Sequence, residues 1–238
     1  MILNCFYFIY TMSITLFGTC RLNNINNHNN LNNIINYSHS TKEIIQLINF
    51  LKGELSIPIP YNILCFRTGI CYNTSIDYND KYNKLFVDTD ICIIEICSNK
   101  KYIHNNFYLH HLCVDKRFIN FNKNTPPEIL DNYIIEKQSD EEIENDILEI
   151  QKILYPKKII IVSHYNSKQN GEYIISRNHL INLLGSICKK YDIPFINPTN
   201  ILSNYSQEQV ITSDLGHYTD LGIDEFSNYV NNFLKSAF

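Results

Sequence analysis

Two short elements near the ends of the chain contain residue types that could form a catalytic triad. Gly18-Thr19-Cys20 follows a short apolar run, and Asp214-Leu215-Gly216-His217 lies near the C-terminus. A cysteine thiolate is a competent nucleophile, and an adjacent imidazole can remove the proton from the thiol. We therefore predict Cys20 as the nucleophile and His217 as the base, with Asp214 fixing the tautomer of the imidazole.

Each of these residues also has a purely structural interpretation. A cysteine after an apolar strand is commonly a small buried hydrophobic residue. Asp214 could instead be a turn residue that hydrogen-bonds local backbone, which aspartate does readily. His217 would then be a surface histidine.

Apolar runs predict the strands that must position these residues. Residues 13–17 alternate as a first buried strand, and residues 90–97 form a nearly continuous apolar run, which is typical of a strand covered on both faces. Residues 158–162 are predicted as a second central strand and residues 194–196 as a short one. Residues 62–66 are predicted as a further short strand.

Helices are predicted between these strands. Ser40 with Glu43 and Ser139 with Glu142 match the capping-box pattern, and an apolar stripe at helical spacing follows each pair. Further helices are predicted at residues 127–135, 174–191 and 219–234.

Two segments lack a regular pattern. The asparagine-rich residues 23–36 are predicted as a loop, although Ile25 and Leu31 could bury one side of an irregular helix. Residues 72–83 are polar, aromatic and turn-rich, which also favours a loop.

Alternating strands and helices predict an α/β fold: a three-layer sandwich with a mostly parallel sheet and helices on both faces. In such sheets ligands bind outside the carboxyl ends of the strands. Cys20, Ser98-Asn99 and Ser163-His164 each follow a predicted strand. We therefore expect all three at one edge of the sheet.

The order of these features resembles that of the SGNH or GDSL-like hydrolases, and Gly18-Thr19-Cys20 resembles the GSC or GNC element of relatives linked to polysaccharide biosynthesis. The resemblance spans residues 13–230 and implies a flavodoxin-like sandwich and acyl-ester chemistry. It also implies an oxyanion hole made by the backbone N–H of Cys20, by Gly69 in the second block and by Asn99 in the third. The third block reads Cys97-Ser98-Asn99-Lys100, without the glycine and the terminal aspartate of the family.

These observations support two functions from different classes. The first is an acyl-ester hydrolase or acyltransferase that acts on a carbohydrate or another small ester through a thioester on Cys20, without a cofactor. The second is a catalytically inactive domain of the same fold that binds a glycan or a protein partner. The incomplete third block favours the second.

Other polar residues are candidates for a substrate pocket. Arg21 could bind an anionic group of the substrate or pair with a surface acid. His39 is predicted as a structural or pocket residue, and His164 as a pocket residue and an alternative base. His110-His111 with Cys113 could suggest a metal site, but adjacent residues in a strand face opposite sides, so no metal is expected.

The chain has 238 residues, is 45% hydrophobic and has a formal net charge of −4. These values predict one domain over residues 13–238 after an apolar extension, residues 1–12. The basic residues form no stripe, which disfavours nucleic acid as a partner.

The eight cysteines and the apolar N-terminus bear on location. Without zinc-finger spacing, and with several cysteines in apolar segments, the chain is predicted to be cytoplasmic. The N-terminal apolar run is short for a membrane span, but it could be a signal peptide, so secretion is the alternative. The start of the protein could be Met1 or Met12. Abundant Asn, Ile and Lys are typical of an AT-rich genome such as that of a protist or a large virus. For a viral protein, the predicted location is the cytoplasm of the host.

Overall fold

The structure is a computed structural model that describes residues 12–29, 37–76 and 80–237. Most of the predicted N-terminal extension therefore lies outside the described residues. The strands are β1 (Ile14–Phe17), β2 (Ile91–Ile96), β3 (Lys100–His104), β4 (Phe107–Tyr108), β5 (Ile134–Lys137), β6 (Lys158–Ser163), β7 (Lys168–Gln169), β8 (Glu172–Tyr173) and β9 (Phe195–Ile196). The helices are α1 (Cys20–Asn29), α2 (Thr41–Leu51), α3 (Tyr61–Cys65), α4 (Arg67–Tyr72), α5 (Asp80–Val87), α6 (His111–Val114), α7 (Ile119–Asn122), α8 (Pro127–Asn132), α9 (Asp140–Leu154), α10 (Ile175–Lys190), α11 (Pro198–Ile201), α12 (Gln207–Val210) and α13 (Asp220–Ala237).

The central sheet contains four parallel strands in the order β1-β2-β6-β9. Leu16 pairs with Ile93, and Ile93 pairs with Ile160, so the three apolar runs lie in register. Continuous apolar strands suit a sheet that is buried on both faces. The four strands predicted for this sheet are confirmed.

Alternate side chains of β2 enter two separate cores. Cys92, Ile94 and Ile96 pack on one face with α2, α9 and α10. Ile91 and Ile93 pack on the other face with α1 and α13. Helices therefore cover both faces of the sheet, and the predicted three-layer α/β class is confirmed.

Both predicted helix caps are present. The Ser40 side chain accepts a hydrogen bond from the Glu43 backbone N–H at 3.4 Å, at the start of α2. Ser139 accepts one from Glu142 at 3.1 Å, at the start of α9. A cap of this kind satisfies a backbone donor that a helix would otherwise leave free.

Four predicted elements differ in the structure. Residues 80–83, at the end of the predicted loop, begin α5, and the helix predicted over residues 127–135 ends at Asn132, before β5. Residues 62–66 were predicted as a strand, but they lie largely within helix α3, because a short apolar run does not distinguish a strand from a buried helical turn. The first part of the asparagine-rich segment belongs to α1, where Leu22 and Ile25 are each 1% exposed. Burial of these two side chains favours the helix despite the poor helix propensity of asparagine. Residues 30–36 lie outside the described part of the chain.

Two further observations concern the described residues as a whole. None of their helices is both long enough and apolar enough to cross a membrane. The seven cysteines among them are free thiols.

Candidate active site

Gly18-Thr19-Cys20, called the nucleophile element here because it contains the predicted nucleophile, is held at the carboxyl end of β1. A buried carboxylate of β2 holds it there. Glu95, 2% exposed, accepts hydrogen bonds from the Thr19 backbone N–H at 2.9 Å and from the Thr19 hydroxyl at 2.6 Å. A Cβ atom at Gly18 would lie 2.7 Å from the Glu95 Cβ, so only glycine fits beside this side chain. Helix α1 then begins at Cys20.

Arg21 forms a buried ion pair with the same carboxylate. Its Nε lies 2.7 Å from Glu95 Oε1, and the two side chains are 9% and 3% exposed. Burial alone would raise the pKa of Glu95, but Arg21 and the donors of Thr19 hold it below its usual value. The prediction for Arg21 named a substrate anion or a surface acid, whereas the acid that it pairs with is buried inside β2.

Asp214 combines the two roles that the sequence left open. Its Oδ1 accepts from the backbone N–H of Gly216 at 2.8 Å, from that of His217 at 3.0 Å and from the Thr212 hydroxyl at 2.7 Å. Its Oδ2 lies 2.5 Å from His217 Nδ1. Burial would raise the pKa of Asp214, but these hydrogen bonds hold it well below its usual value. The carboxylate therefore shapes the turn and orients the imidazole.

Three side chains from elsewhere in the fold fix the backbone of this turn. Arg21 Nη1 donates to the Gly216 carbonyl at 2.9 Å. Ser167 Oγ donates to the Leu215 carbonyl at 3.0 Å, and Arg177 Nη1 donates to the same carbonyl at 2.7 Å. Arg21 therefore connects the nucleophile element, through its ion pair, with the turn that presents His217.

Cys20 and His217 line one cavity of about 400 Å³. The other lining residues are Thr19, Arg21, Tyr37, His39, His110, His111, Leu112, Phe118 and Phe121. Among the described residues no hydrogen bond joins the Cys20 thiol to His217. Catalytic hydrogen bonds are often long in ligand-free enzymes, so this geometry is compatible with a triad that tightens on substrate binding.

The environment of Cys20 does not favour a resting thiolate. Burial raises the pKa of the thiol above its ordinary value, and the charge of Arg21 only partly opposes this effect. Backbone N–H groups of Cys20 and Arg21, at the first turn of α1, also favour the thiolate. The surroundings therefore favour the neutral thiol of Cys20.

The structure does not bring the other two predicted oxyanion residues to this cavity. Gly69 lies in α4, where a Cβ would meet the Ile63 carbonyl oxygen at 2.2 Å, so this glycine allows α4 to pack against α3. Asn99 lies in the turn between β2 and β3 and lines a different surface hollow with Lys137 and His179. Of the three residues predicted for the oxyanion hole, Cys20 lines the cavity.

The two predicted pocket histidines have different positions. His39 lines the cavity. His164 is 6% exposed, its Nδ1 lies 2.8 Å from the Tyr165 carbonyl, and it is not among the residues that line the cavity. Burial, with the nearby charges of Arg21 and Arg177, lowers the pKa of His164 well below its ordinary value. A buried neutral histidine outside the cavity is a poor alternative base.

His164 gives a prediction for the pH dependence of stability. Folding lowers the pKa of His164, so the unfolded chain binds a proton more readily than the folded one does. The stabilising contribution is therefore fully present above the unfolded pKa of about 6.5 and falls as the pH drops below that value. Between pH 6.5 and 5.5 the wild type should lose about 1 kcal/mol more free energy of unfolding than His164→Gln. Urea unfolding at several pH values measures this difference. Parallel profiles for the two proteins would show that His164 is not the group responsible.

The prediction that His110 and His111 face opposite sides is wrong. They do not lie in a strand: His110 caps α6 and His111 is the first residue of that helix. Their rings stack with centroids 4.5 Å apart, and the His39 ring lies 4.6 Å and 4.7 Å from the two. Burial, and then the neighbouring His39, lowers the pKa of His110 well below its usual range and that of His111 to about 3.

Several residues that shape the site were missed from the sequence. Glu95 is the clearest case, because a single acid inside an otherwise apolar strand indicates a buried partner. Ser167 and Arg177 give no such indication, since their contacts are with backbone carbonyls far away in the chain.

The fold and this site define a class of protein: a three-layer α/β domain with a cysteine at the end of its first strand and an oriented Asp–His pair before its last helix. The chain belongs to the TviD N-terminal domain family, whose pattern matches residues 12–128 and 123–232. It is 25% identical over 239 residues to the Vi polysaccharide biosynthesis protein TviD of Salmonella typhi. That match covers 82% of this chain but only 28% of the relative's length. The predicted link to polysaccharide-biosynthesis relatives is confirmed.

Solved structures similar to this chain include two carbohydrate esterases and a lipase. A GDSL-like lipase from Bacteroides thetaiotaomicron is 13% identical to this chain. The match covers 95% of this chain and 89% of the lipase chain, with a TM-score of 0.44. An acetyl-xylooligosaccharide esterase from Geobacillus stearmophilus is 10% identical, with 91% of each chain covered and a TM-score of 0.41. A carbohydrate acetylesterase from Sinorhizobium meliloti is 11% identical to this chain. The match covers 96% of this chain and 100% of the acetylesterase chain, with a TM-score of 0.40.

Proposed function

We propose that this protein moves or removes an acyl group on a carbohydrate through a thioester on Cys20. The observation that carries the proposal is that Cys20 and His217 line one cavity while Asp214 holds His217 through Nδ1 at 2.5 Å. This contact leaves Nε2 of His217 as the nitrogen that can accept the proton of the thiol.

The reaction has two balanced halves. His217 takes the Cys20 proton, the sulfur attacks the acyl carbonyl, and a C–S bond forms as the C–O bond of the ester breaks. The leaving alkoxide takes the proton from the imidazolium. In the second half, His217 takes a proton from an incoming hydroxyl, whose oxygen attacks the thioester, and the thiolate leaves and recovers its proton.

Backbone N–H groups at the start of α1 are the proposed donors to the tetrahedral oxyanion. The first turn of this ten-residue helix presents the Cys20 backbone N–H and the positive end of the helix dipole, whereas the Arg21 N–H already donates to the Thr19 hydroxyl at 3.4 Å. The Thr19–Glu95 contacts hold this turn rigidly, which is what an oxyanion hole requires.

The identity of the incoming hydroxyl separates a hydrolase from a transferase. Water gives hydrolysis, and a sugar hydroxyl gives transfer of the acyl group to a glycan. The relationship to a polysaccharide biosynthesis protein favours transfer, since biosynthesis adds groups to a glycan. Comparing free acid with acylated sugar among the products distinguishes the two.

A catalytically inactive glycan-binding domain is the second candidate. The observation in its favour is that Asn99 does not line the cavity and that burial raises the pKa of the Cys20 thiol. Such a domain would bind an oligosaccharide without forming an acyl adduct on Cys20.

Cysteine alkylation tests the proposed role of His217 as a base. Because burial raises the pKa of the Cys20 thiol, its reaction with iodoacetamide at pH 7 should depend on His217. We expect His217→Ala to slow the labelling of Cys20 several-fold, measured by peptide mass spectrometry. The exposed Cys71 is the internal control and should react at the same rate in both proteins. Equal rates at Cys20 in the wild type and the variant would contradict the assignment of His217.

A further inference from the structure

Three imidazoles converge at one wall of the candidate active-site cavity. His39 lies just before α2, and His110 and His111 lie at the start of α6. One nitrogen from each ring lies within 4.8 Å of the others. All three residues line the cavity that contains Cys20.

One of these rings has a buried nitrogen that lacks a hydrogen-bond partner and belongs to the proposed ligand set. His110 is 1% exposed, and its Nε2 has no partner among the described residues. A buried polar atom without a partner is unfavourable, and an ion is one of its recognised explanations. This nitrogen therefore indicates a missing ligand rather than a purely structural packing of rings.

We propose that His39, His110 and His111 bind a divalent transition-metal ion, with Zn²⁺ as the best match to three imidazole donors. Tetrahedral zinc with bonds of about 2.0 Å places its nitrogen ligands about 3.3 Å apart, so side-chain movements of about 1 Å would close the observed cluster onto the ion. Three protein ligands leave the fourth position of the ion open toward the cavity.

The surroundings of the cluster fit a metal site in a further respect. Glu43 Oε2 lies 3.8 Å from His39 Nδ1 and also accepts a hydrogen bond from the His39 backbone N–H at 3.0 Å. A carboxylate behind a ligating histidine commonly orients the ring and raises its basicity. Glu43 is therefore placed to hold His39 while its other ring nitrogen binds the ion.

Metal binding requires one local change at His110. The Leu112 backbone N–H donates to His110 Nδ1 at 3.2 Å, which places the ring proton on Nε2. Ligation through Nε2 moves that proton to Nδ1, which breaks the Leu112 contact and leaves this backbone N–H without its acceptor, so the bonds to the ion must exceed that cost.

Metal titration of the full chain tests this proposal independently of acyl chemistry. We expect the metal-free protein to bind about one equivalent of Zn²⁺ in competition with a chromophoric chelator. Co²⁺ in its place should give the visible absorption of a tetrahedral site. His110→Ala and His111→Ala should each weaken binding at least about 100-fold, and Glu43→Gln about 10- to 100-fold.

The controls separate a specific site from adventitious binding and from failure of the acyl-transfer proposal. The exposed His179, which pairs with Asp140, gives a matched histidine variant, and His179→Ala should bind as the wild type does. Cys20→Ala should also bind normally, because Cys20 lacks a place in the cluster. Circular dichroism shows whether each variant is folded. Equal affinity in the His110→Ala, His179→Ala and wild-type proteins, or loss of binding in Cys20→Ala, would overturn the three-histidine site.

Discussion

Cys20→Ala should abolish turnover of acetylated sugars or p-nitrophenyl acetate, with a loss of at least about 10³-fold in kcat/KM. The expected effect is large because the variant lacks the atom that forms the thioester. His217→Ala should lose about 10²- to 10⁴-fold, since a general base contributes a factor of this size. Initial rates, together with mass spectrometry of an acetyl adduct on Cys20 after a short pulse of substrate, measure both effects.

Two further variants are the controls for this experiment. His179→Ala removes an exposed side chain that pairs with Asp140 and does not line the cavity, and it should leave the rate unchanged. Cys20→Ser keeps a weaker nucleophile in the same place and should retain part of the esterase activity if the backbone donors of α1 stabilise the oxyanion. Full activity in Cys20→Ala would exclude the thioester, whereas inactivity of the folded wild type on every ester, combined with glycan binding, would favour the inactive domain.

Removing one partner of the Arg21–Glu95 pair should destabilise the protein more than any surface substitution. Both side chains are buried, so Glu95→Gln leaves the guanidinium without its counter-ion. We expect a loss of about 3–5 kcal/mol in the free energy of unfolding, measured by urea denaturation. The alternative partner for Arg21 is a carbonyl of the His217 turn, which cannot neutralise its charge.

Two controls identify the buried charge as the cause. The double variant Arg21→Met/Glu95→Leu removes both charges and should lose less stability than the sum of the single variants. Glu54→Gln breaks the surface pair with Lys52, 2.7 Å apart, in which Glu54 is 55% exposed, and should leave the stability unchanged. If Glu95→Gln and Glu54→Gln were equally stable, the Arg21–Glu95 pair would have no special role in the fold.

The same pair also explains how the site is positioned. Arg21 contacts Glu95 at the nucleophile element and the Gly216 carbonyl in the turn before His217. A conservative Arg21→Lys variant keeps the charge but cannot make both directed contacts. In folded protein it should lower kcat more than it raises KM, because it displaces the base relative to the sulfur.

Local sequence patterns were sufficient to predict the sheet and the cap residues. The apolar runs of β1, β2 and β6 indicate buried strands wherever they lie, and Ser40 and Ser139 begin helices through contacts only three residues long. The Asp214–His217 contact could be predicted for the same reason, since the spacing itself brings the two side chains together around one turn.

The tertiary structure alone decided how these pieces form one site. Glu95 is 74 residues from Arg21, and Arg21 is 195 residues from Gly216, so no local pattern shows that they meet. The His39–His110–His111 cluster was missed because a strand conformation was assumed for His110-His111. Alternation along a strand would separate two rings that a helix start stacks together. The sequence determined the residue types and the order of the elements, whereas packing of the loops beyond the strands determined which side chains share the cavity.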